Sequence, residues 1–319
     1  MDIIHLPFEL WTLIVEPLDI KLQVRLIQIC KTIKNNIFVT DLCNIDIKLQ
    51  IKLDGDIIKK YPNIKKLDAS FNPKIGDQDL VSTFGGLNLV ELNAGWNPKI
   101  KKINHMTNLR KLNASGIQCG IENASLVGLN LVELSVGDNP KIKKINHMTN
   151  LRKLNAYGND CGVNDDSLIS TFGGLNLVEL NASFNPKIKK INHMTNLRKL
   201  KAMGNSSGVN DDSLIGLNLV ELNAIGNPKI KKINHMINLR ILNASGICGI
   251  EDEYLVGLNL VELYAHNNPK IKKINHMINL RILDAGGNSG IEDDNLIGLN
   301  LIELDAIGNP KISQNNQEN

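Results

Sequence analysis

A ten-residue block, NPKIKKINHM, occurs five times without change, at 97–106, 139–148, 185–194, 227–236 and 268–277. Each block belongs to a longer unit that opens N-L/I-x-x-L-x-A/V-x-x, usually followed by Asn. Units of about 20 residues alternate with units of 21 to 26 residues. A fixed internal period predicts an elongated array in which each unit packs only against its neighbours. The twelve units begin at Asn63, Asn88, Asn108, Asn130, Asn150, Asn176, Asn196, Asn218, Asn238, Asn259, Asn279 and Asn300.

The segment LVELNA shows how one unit folds. Leu89, Leu92 and Ala94 take inward positions and Glu91 and Asn93 take outward ones, which is the alternation of a strand. The pattern resembles the leucine-rich repeat, L-x-x-L-x-L-x-x-N-x-I, with Ala at the third Leu, and the shorter units resemble those of internalins. This resemblance implies an α/β solenoid, a leucine-rich-repeat horseshoe of about twelve alternating short repeats with one parallel strand each, over residues 63–319.

An asparagine recurs at the ninth position of most units, counted from the first Leu. We expect each to be buried in the turn after the strand, where it satisfies main-chain groups of its own and the next unit. The longer units, such as NDDSLISTFGGL, place Asn164 and acids before an apolar pattern that ends in Gly-Gly, which predicts a short helix. These asparagines are Asn72, Asn97, Asn139, Asn159, Asn185, Asn205, Asn227, Asn268, Asn288 and Asn309, and Ile117 and Ile247 interrupt the series.

Charges follow the same period. At the third strand position Lys and Glu alternate from Lys66 to Glu221, which predicts ion pairs between adjacent strands. The lysine pairs of the KIKK segments align with acids in the intervening units, for example Asp165 and Asp166, so we expect these charges to cancel. Net charge is only +3. A stripe of lysines that binds nucleic acid is the lesser alternative, and we expect nucleic acid not to be a partner.

No segment carries the pattern of an enzyme, a cofactor site or a metal site. The chain lacks GxSxG, a P-loop and HExxH, and every polar cluster recurs by period. Histidines of the repeated block, such as His105 and His147, lie two strands or about 10 Å apart, too far to share one zinc ion. Five scattered cysteines without CxxC, no signal-peptide pattern and no membrane-length apolar run predict a protein of the reducing cytoplasm.

Partner specificity is expected where the units differ. Positions seven and eight vary widely, and position five, mostly Asn, changes to Lys201 and Tyr264. We predict that these residues bind a protein partner on the concave face. The alternative for Phe71, Trp96 and Phe184 is that they pack over the edge of the next unit. The predicted partner-binding residues are Phe71, Trp96, Asp138, Tyr157, Phe184, Lys201, Met203, Ile225, Tyr264, His266 and Ile307.

The first 40 residues have a different pattern. Apolar residues from Leu10 to Ile33 follow helical spacing, interrupted at Pro17-Leu18-Asp19. The segment LP-x-E-L…L-D…I-C-K resembles an F-box, although Ile33 stands where F-boxes usually have Trp. The resemblance implies docking on a Skp-type adaptor of a cullin–RING ubiquitin ligase. The adaptor-binding residues implied are Leu6, Pro7, Glu9, Leu10, Ile14 and Leu18.

Three segments are therefore expected: an F-box-like helical segment (1–40), a degenerate capping repeat (41–62) and the solenoid (63–319). This order resembles F-box/leucine-rich-repeat substrate receptors, and the near-identical, Asn/Ile/Lys-rich units resemble those encoded by giant amoeba-infecting DNA viruses. The implied protein is a non-enzymatic adaptor, monomeric outside the ligase, in the cytoplasm (of the host, if viral). The alternative is a plain interaction scaffold whose N-terminal helices only cap the solenoid.

Overall fold

The structure is a computed structural model that describes residues 18, 22, 25 and 39–313, apart from 44, 46, 62, 82–87 and 170–174. The chain divides into two compact units, Met1–Ser135 and Val136–Asn319. Among the described residues, no helix has the length and apolar character needed to cross a membrane.

Each of these two compact units contains several repeats and is built on short parallel strands that follow one another in chain order. The first unit contains β1 (Asp41–Leu42), β2 (Lys66–Asp68), β3 (Glu91–Asn93), β4 (Lys111–Asn113) and β5 (Glu133–Ser135). The second contains β6 (Lys153–Asn155), β7 (Glu179–Asn181), β8 (Lys199–Lys201), β9 (Glu221–Asn223), β10 (Ile241–Asn243), β11 (Glu262–Tyr264), β12 (Ile282–Asp284) and β13 (Glu303–Asp305).

The strand register places equivalent positions side by side. Leu92 lies opposite Leu112 in the first unit, and Leu180 lies opposite Leu200 in the second. Each repeat therefore contributes one strand and one layer of core, as the period predicts. The predicted fold class, a leucine-rich-repeat solenoid, is confirmed.

The core is the stack of inward side chains from successive repeats. Leu89, Leu92 and Ala94 are buried, as the strand alternation predicts, and so are Ile100, Ile103 and Met106 from the repeated block. The I-x-x-I-x-x-M spacing thus supplies the core from the segment that follows the strand. Because a single coil cannot enclose this apolar row, its burial depends on the coils above and below it.

The buried asparagine ladder is confirmed for the shorter repeats and for the longer first repeat, which contains Asn72. Asn97 is fully buried, its Nδ2 donates to the carbonyls of Ala69 (2.8 Å) and Asn72 (2.8 Å), and its Oδ1 accepts from the Lys99 N–H (2.8 Å). One side chain therefore joins two coils. Asn72, Asn139, Asn185, Asn227, Asn268 and Asn309 are buried at the equivalent position.

The ladder prediction is wrong for the longer repeats that begin at Asn150, Asn196 and Asn279. Asn159, Asn205 and Asn288 are exposed. In these repeats a small residue one or two positions later occupies the ladder site instead, and it is Cys161, Ser207 or Ser289, each fully buried. In one such repeat, Cys161 Sγ donates to the Val136 carbonyl (3.4 Å). In another, Ser207 Oγ donates to the Ala182 carbonyl (3.4 Å).

The helices of the longer repeats last a single turn. The predicted start at Asn164 is confirmed, since its Oδ1 accepts the Ser167 N–H (3.0 Å) as an N-cap. The helix ends at Leu168, and residues 170–174 of the predicted Gly-Gly stop lie outside the described part. The four-residue α-helices are Ile47–Gln50, Gly55–Ile58, Asp77–Leu80, Asp165–Leu168, Asp211–Leu214 and Asp293–Leu296, and 3₁₀ turns span Asn123–Leu126 and Asp252–Tyr254.

Acids of the longer repeats contact the KIKK segments, but through the main chain. Asp165 Oδ1 accepts the N–H groups of Lys189 (2.7 Å) and Lys190 (2.8 Å). Asp211 Oδ1 binds Lys231 (2.7 Å) and Lys232 (3.0 Å) in the same way. The expected proximity is therefore confirmed, and at these two steps the carboxylate binds the backbone of the next coil.

Burial makes the ladder cysteines poor nucleophiles. It raises the pKa of Cys161 from 9.0 to about 11, so the thiol stays protonated at pH 8. We expect iodoacetamide at pH 8 to modify Cys161 at least about 100-fold more slowly in the folded chain than in the urea-unfolded chain, because the raised pKa removes that much thiolate. Site-resolved mass spectrometry measures both rates. Equal rates would contradict the burial of this thiol.

Candidate partner-binding surface

The outward side chains of the strands form an exposed face in each unit. At the third position, Lys111 Nζ lies 3.2 Å from Glu133 Oε1 in the first unit. In the second unit, Lys199 Nζ lies 3.0 Å from Glu221 Oε2. The predicted ion-pair ladder is thus confirmed at these steps, and each exposed pair contributes only about 0–1 kcal/mol.

The fifth position, mostly Asn or Asp, has a structural role. Asn113 Oδ1 accepts the Ser115 N–H (3.0 Å), and Asn223 Oδ1 accepts the Ile225 N–H (3.2 Å). This local bond closes the turn as the chain leaves the strand. The frequency of Asn at this position therefore reflects turn formation and carries no information about a partner.

Lys201 and Tyr264 depart from this rule and point outward from β8 and β11. In the repeat of Lys201, the Met203 N–H is bound instead by Ser183 Oγ of the preceding repeat (3.1 Å). Tyr264 directs its hydroxyl to Glu262 Oε2 (2.9 Å). Neither Lys nor Tyr has the amide oxygen that closes the turn in other repeats, and the partner-binding role of both residues stays a prediction.

Five residues of the eighth position adopt a left-handed backbone, which glycine tolerates far better than other residues. Gly226 and Gly308 occupy the same position in other repeats with φ of 60° and 75°. The left-handed conformation is therefore imposed by the fold, and the bulky residues there add strain that glycine would avoid. The five are Phe71, Trp96, Asp138, Phe184 and Asn267, with φ between 52° and 58°.

Three of these residues are aromatic and pack along the edge of the strand face. The rings of Phe71 and Trp96 are stacked, with centroids 5.9 Å apart and planes at 9°. The Trp96 ring lies against Gly116 of the next repeat, and the Phe184 ring lies against Gly204. Packing over the next repeat, the alternative drawn from sequence, is therefore what these rings do.

Packing leaves these rings accessible. Phe71 is 68% exposed and Phe184 is 42% exposed. An aromatic ring that is fixed by a neighbour and open on its other face loses little conformational entropy when a partner covers it. The two interpretations of these residues, as packing groups and as binding groups, are thus compatible.

The other predicted partner-binding residues are distributed along the second unit. The Tyr157 ring lies against Gly137 of the preceding repeat, and His266 Nδ1 is 3.2 Å from Asp284 Oδ1. Met203 and Ile225 are half-buried, and Ile307 is 75% exposed. The structure thus places all eleven residues on the strand face or its turn edge, in two separate sets: Phe71 and Trp96 in the first unit and the other nine in the second.

Sequence reasoning missed the glycines that accommodate these rings. A methyl group on Gly116 would lie 2.5 Å from Trp96 Cδ2, so only glycine admits the ring at that place. The signal was present in the sequence, since Gly116 and Gly204 each stand one repeat after an aromatic eighth position.

The implied adaptor-binding residues stand apart from this surface. Leu6, Pro7, Glu9, Leu10 and Ile14 lie outside the described residues. Leu18 is described and is half-buried. The predicted F-box-like segment therefore stays a prediction.

The histidines of the repeated block are exposed. His235 Nε2 is 3.1 Å from the Leu214 carbonyl of the preceding repeat, and His276 Nε2 is 3.5 Å from that of Leu255. Across the described residues, no three His, Cys, Asp or Glu side chains are arranged to hold a metal ion.

Comparison with known proteins places the fold. No protein-family profile and no curated protein sequence matches the chain. An internalin from Listeria monocytogenes is 21% identical with a TM-score of 0.49, over 78% of this chain and 82% of that one. The yeast Rad7–Elc1 complex gives 17% identity and a TM-score of 0.50, over 79% and 78%. A complex of TLR13 with ssRNA13 gives 17% identity and a TM-score of 0.50, over 79% of this chain and 50% of that one. At identities this low the likeness concerns the fold alone. It agrees with the strand register that the chain folds as a leucine-rich-repeat solenoid.

Proposed function

We propose that the chain is a non-enzymatic adaptor that binds a protein partner on the exposed strand face of its repeats. The observation that carries this proposal is the set of bulky residues held in left-handed conformations at the turn edge. Other repeats have glycine at this position, Gly226 and Gly308, and so avoid the strain. The repeat itself therefore does not require the larger side chains. Three of the five residues, Phe71, Trp96 and Phe184, are aromatic, and aromatic side chains are of the kind that dominates binding at protein interfaces.

We further propose that residues 1–40 join this adaptor to a Skp-type protein, as the substrate-recognition subunit of an SCF-type ubiquitin ligase in the cytoplasm. The support is the resemblance of Leu6, Pro7, Glu9 and Leu10 to the start of an F-box. Among proteins of similar fold, Rad7 forms a complex with Elc1, and TLR13 forms one with ssRNA13.

The rival proposal is a plain scaffold whose first 40 residues only cap the array. Residues 39–61 already supply the layer below the first full repeat. Asn72 Nδ2 donates to the carbonyls of Gln50 (3.0 Å) and Leu53 (2.9 Å), and the Thr40 carbonyl accepts from Lys65 and Lys66. Because this layer satisfies the ladder asparagine, the adaptor proposal assigns the preceding segment a role other than capping.

Affinity purification of the full chain tests the adaptor proposal. We expect a Skp-type protein to copurify with the wild type and to be lost, by at least about tenfold, from Leu6→Ala/Pro7→Ala, because small apolar contacts supply the docking energy. Quantitative mass spectrometry compares the two, and Phe71→Ala/Trp96→Ala is the matched control that keeps the segment intact. Unchanged capture by Leu6→Ala/Pro7→Ala would contradict the ligase role and favour the plain scaffold.

A further inference from the structure

The repeats are nearly identical, yet two positions change together along the second unit. The segment NHMTNLRKL occurs at 104–112, 146–154 and 192–200, whereas 234–242 and 275–283 read NHMINLRIL. One change replaces Thr by Ile at 237 and 278, on the turn that precedes the strand. The other replaces Lys by Ile at 241 and 282, on the outward face of β10 and β12.

The second change removes every lysine from the outward strand positions of β10–β13. On β6–β9, the third and fifth positions carry three lysines (Lys153, Lys199, Lys201) and two glutamates (Glu179, Glu221), a net charge of +1. On β10–β13 they carry no lysine and four acids, a net charge of −4. These acids are Glu262, Asp284, Glu303 and Asp305.

The acids on β10–β13 flank apolar surface. Ile241 and Ile282 lie on either side of Glu262, and Ile282 lies beside Glu303. On the preceding strands β6–β9, the equivalent glutamates Glu179 and Glu221 each form an ion pair with a lysine ammonium of the adjacent strand. Among the described residues, Glu262 and Glu303 have no such ion pair, and Glu262 accepts only the Tyr264 hydroxyl (2.9 Å).

Nearby cations do not neutralise this face. Arg240 and Arg281, at the start of β10 and β12, direct Nη1 to the carbonyls of Ile237 and Ile278 (3.1 and 3.2 Å) at the N-terminal edge. An arginine stands at the equivalent position before β4, β6 and β8, so these arginines do not account for the change in charge. His266 lies 3.2 Å from Asp284 and supplies a positive charge only when it is protonated.

We infer that the outward face of β10–β13 is the docking surface for a basic, apolar-bearing segment of a partner protein, which lies across the strands with its Lys or Arg groups on Glu262, Asp284, Glu303 and Asp305. This inference rests on the proposed protein-binding function and names the chemistry of the partner. Complementary charge favours encounter with a cationic segment, and Ile241, Ile282 and Tyr264 provide the apolar contact. Four strands span about 14 Å, the reach of about four or five extended residues. A nucleic acid is repelled by the same charges.

The chain itself supplies the test variant. Ile241→Lys/Ile282→Lys restores the sequence of the earlier repeats, which the fold accepts at Lys111, Lys153 and Lys199, and it places ammonium groups beside Glu262 and Glu303. The matched control, Ile237→Thr/Ile278→Thr, restores the other position of the same repeats without altering the strand face. The probes are a short fluorescein-labelled peptide of alternating Lys, Leu and Ser, and the same peptide with Glu for each Lys.

Fluorescence anisotropy with full-length protein measures binding at low and at physiological ionic strength. We expect the Lys peptide to bind at least about tenfold more tightly than the Glu peptide, and binding to weaken at least tenfold in Ile241→Lys/Ile282→Lys but not in Ile237→Thr/Ile278→Thr. A second variant removes the four acids isosterically: Glu262→Gln/Asp284→Asn/Glu303→Gln/Asp305→Asn. We expect it to lose the preference for the Lys peptide over the Glu peptide. Its control makes the same total charge change on exposed acids elsewhere and is expected to keep that preference: Asp166→Asn/Asp212→Asn/Glu253→Gln/Asp294→Asn.

Equal binding of both peptides, equal loss in the two quadruple variants, or binding of a single-stranded oligonucleotide in preference to the Lys peptide would overturn the inference. Failure of the inference and failure of the proposed function are separable. If a partner copurifies equally with wild type and with Ile241→Lys/Ile282→Lys, the adaptor proposal stands and this docking surface does not. If no partner copurifies with either, the proposed function itself fails.

Discussion

Replacing Asn227 by alanine is expected to lower the free energy of unfolding by about 3–5 kcal/mol. Asn227 is fully buried, and its Nδ2 donates to the carbonyls of Ala202 (2.8 Å) and Val209 (3.2 Å) in the preceding repeat. Its Oδ1 accepts the Lys229 N–H (3.0 Å). Alanine leaves three main-chain groups without partners at about 1–3 kcal/mol each, of which entering water recovers only part. Urea denaturation followed by circular dichroism measures the loss.

Asn205→Ala is the matched control for this prediction. It removes the same side chain from the same position of the preceding repeat, where the asparagine is exposed. We expect a change within about 0.5 kcal/mol, as for other surface substitutions. Hydrogen exchange provides a local measurement, since the Lys229 amide is expected to lose protection only in Asn227→Ala. Equal effects of the two substitutions would contradict the division of the ninth position into buried and exposed asparagines.

The fold follows from the period of the sequence with little else. Leucine and alanine at fixed positions specify a strand, and a period of 20 to 26 residues leaves room for one strand and one return segment per coil. Register follows because a shift by one residue would expose Leu92 and bury Glu91. Lys–Glu alternation was readable for the same reason, since equivalent positions of adjacent repeats become neighbours.

The turn after the strand was not readable from the same pattern. Asn205 and Asn227 occupy the same position in the sequence, yet one is exposed and the other is buried. A glycine with positive φ precedes both residues, Gly204 in one repeat and Gly226 in the other. The difference is that Ser207, two residues beyond Asn205, reaches the Ala182 carbonyl in place of the asparagine. A consensus of residue types does not record which atom of the turn reaches the coil below.

The candidate surface was predicted as a set of positions but not as contacts. The variable residues do lie on the strand face and its edge. Their individual roles depend on distances between repeats, such as the stacking of Phe71 on Trp96, that the sequence does not specify. Counting charges by repeat does reveal that the net charge changes from β6–β9 to β10–β13. The significance of this change depends on knowing which positions point outward.

Gly204→Ala is expected to destabilise the second unit by about 3 kcal/mol, more than its left-handed backbone alone explains. Gly204 has φ of 86°, and a methyl group there would overlap the ring of Phe184. The left-handed conformation costs alanine about 1–2 kcal/mol, and overpacking against the ring adds about 1–3 kcal/mol. Thermal unfolding and urea titration of the variant measure the sum.

Gly216→Ala separates the two causes. Gly216 has a similar φ of 79°, and a methyl group there meets no atom within 4 Å, so only the backbone cost of about 1–2 kcal/mol is expected. Adding Phe184→Ala to Gly204→Ala should recover about 1–2 kcal/mol relative to the sum of the single changes, because the overlap has been removed. If Gly204→Ala and Gly216→Ala are equally destabilising, the Phe184 ring swings away at no cost. The aromatic edge would then lack the fixed ring that makes it a preorganised contact for a partner.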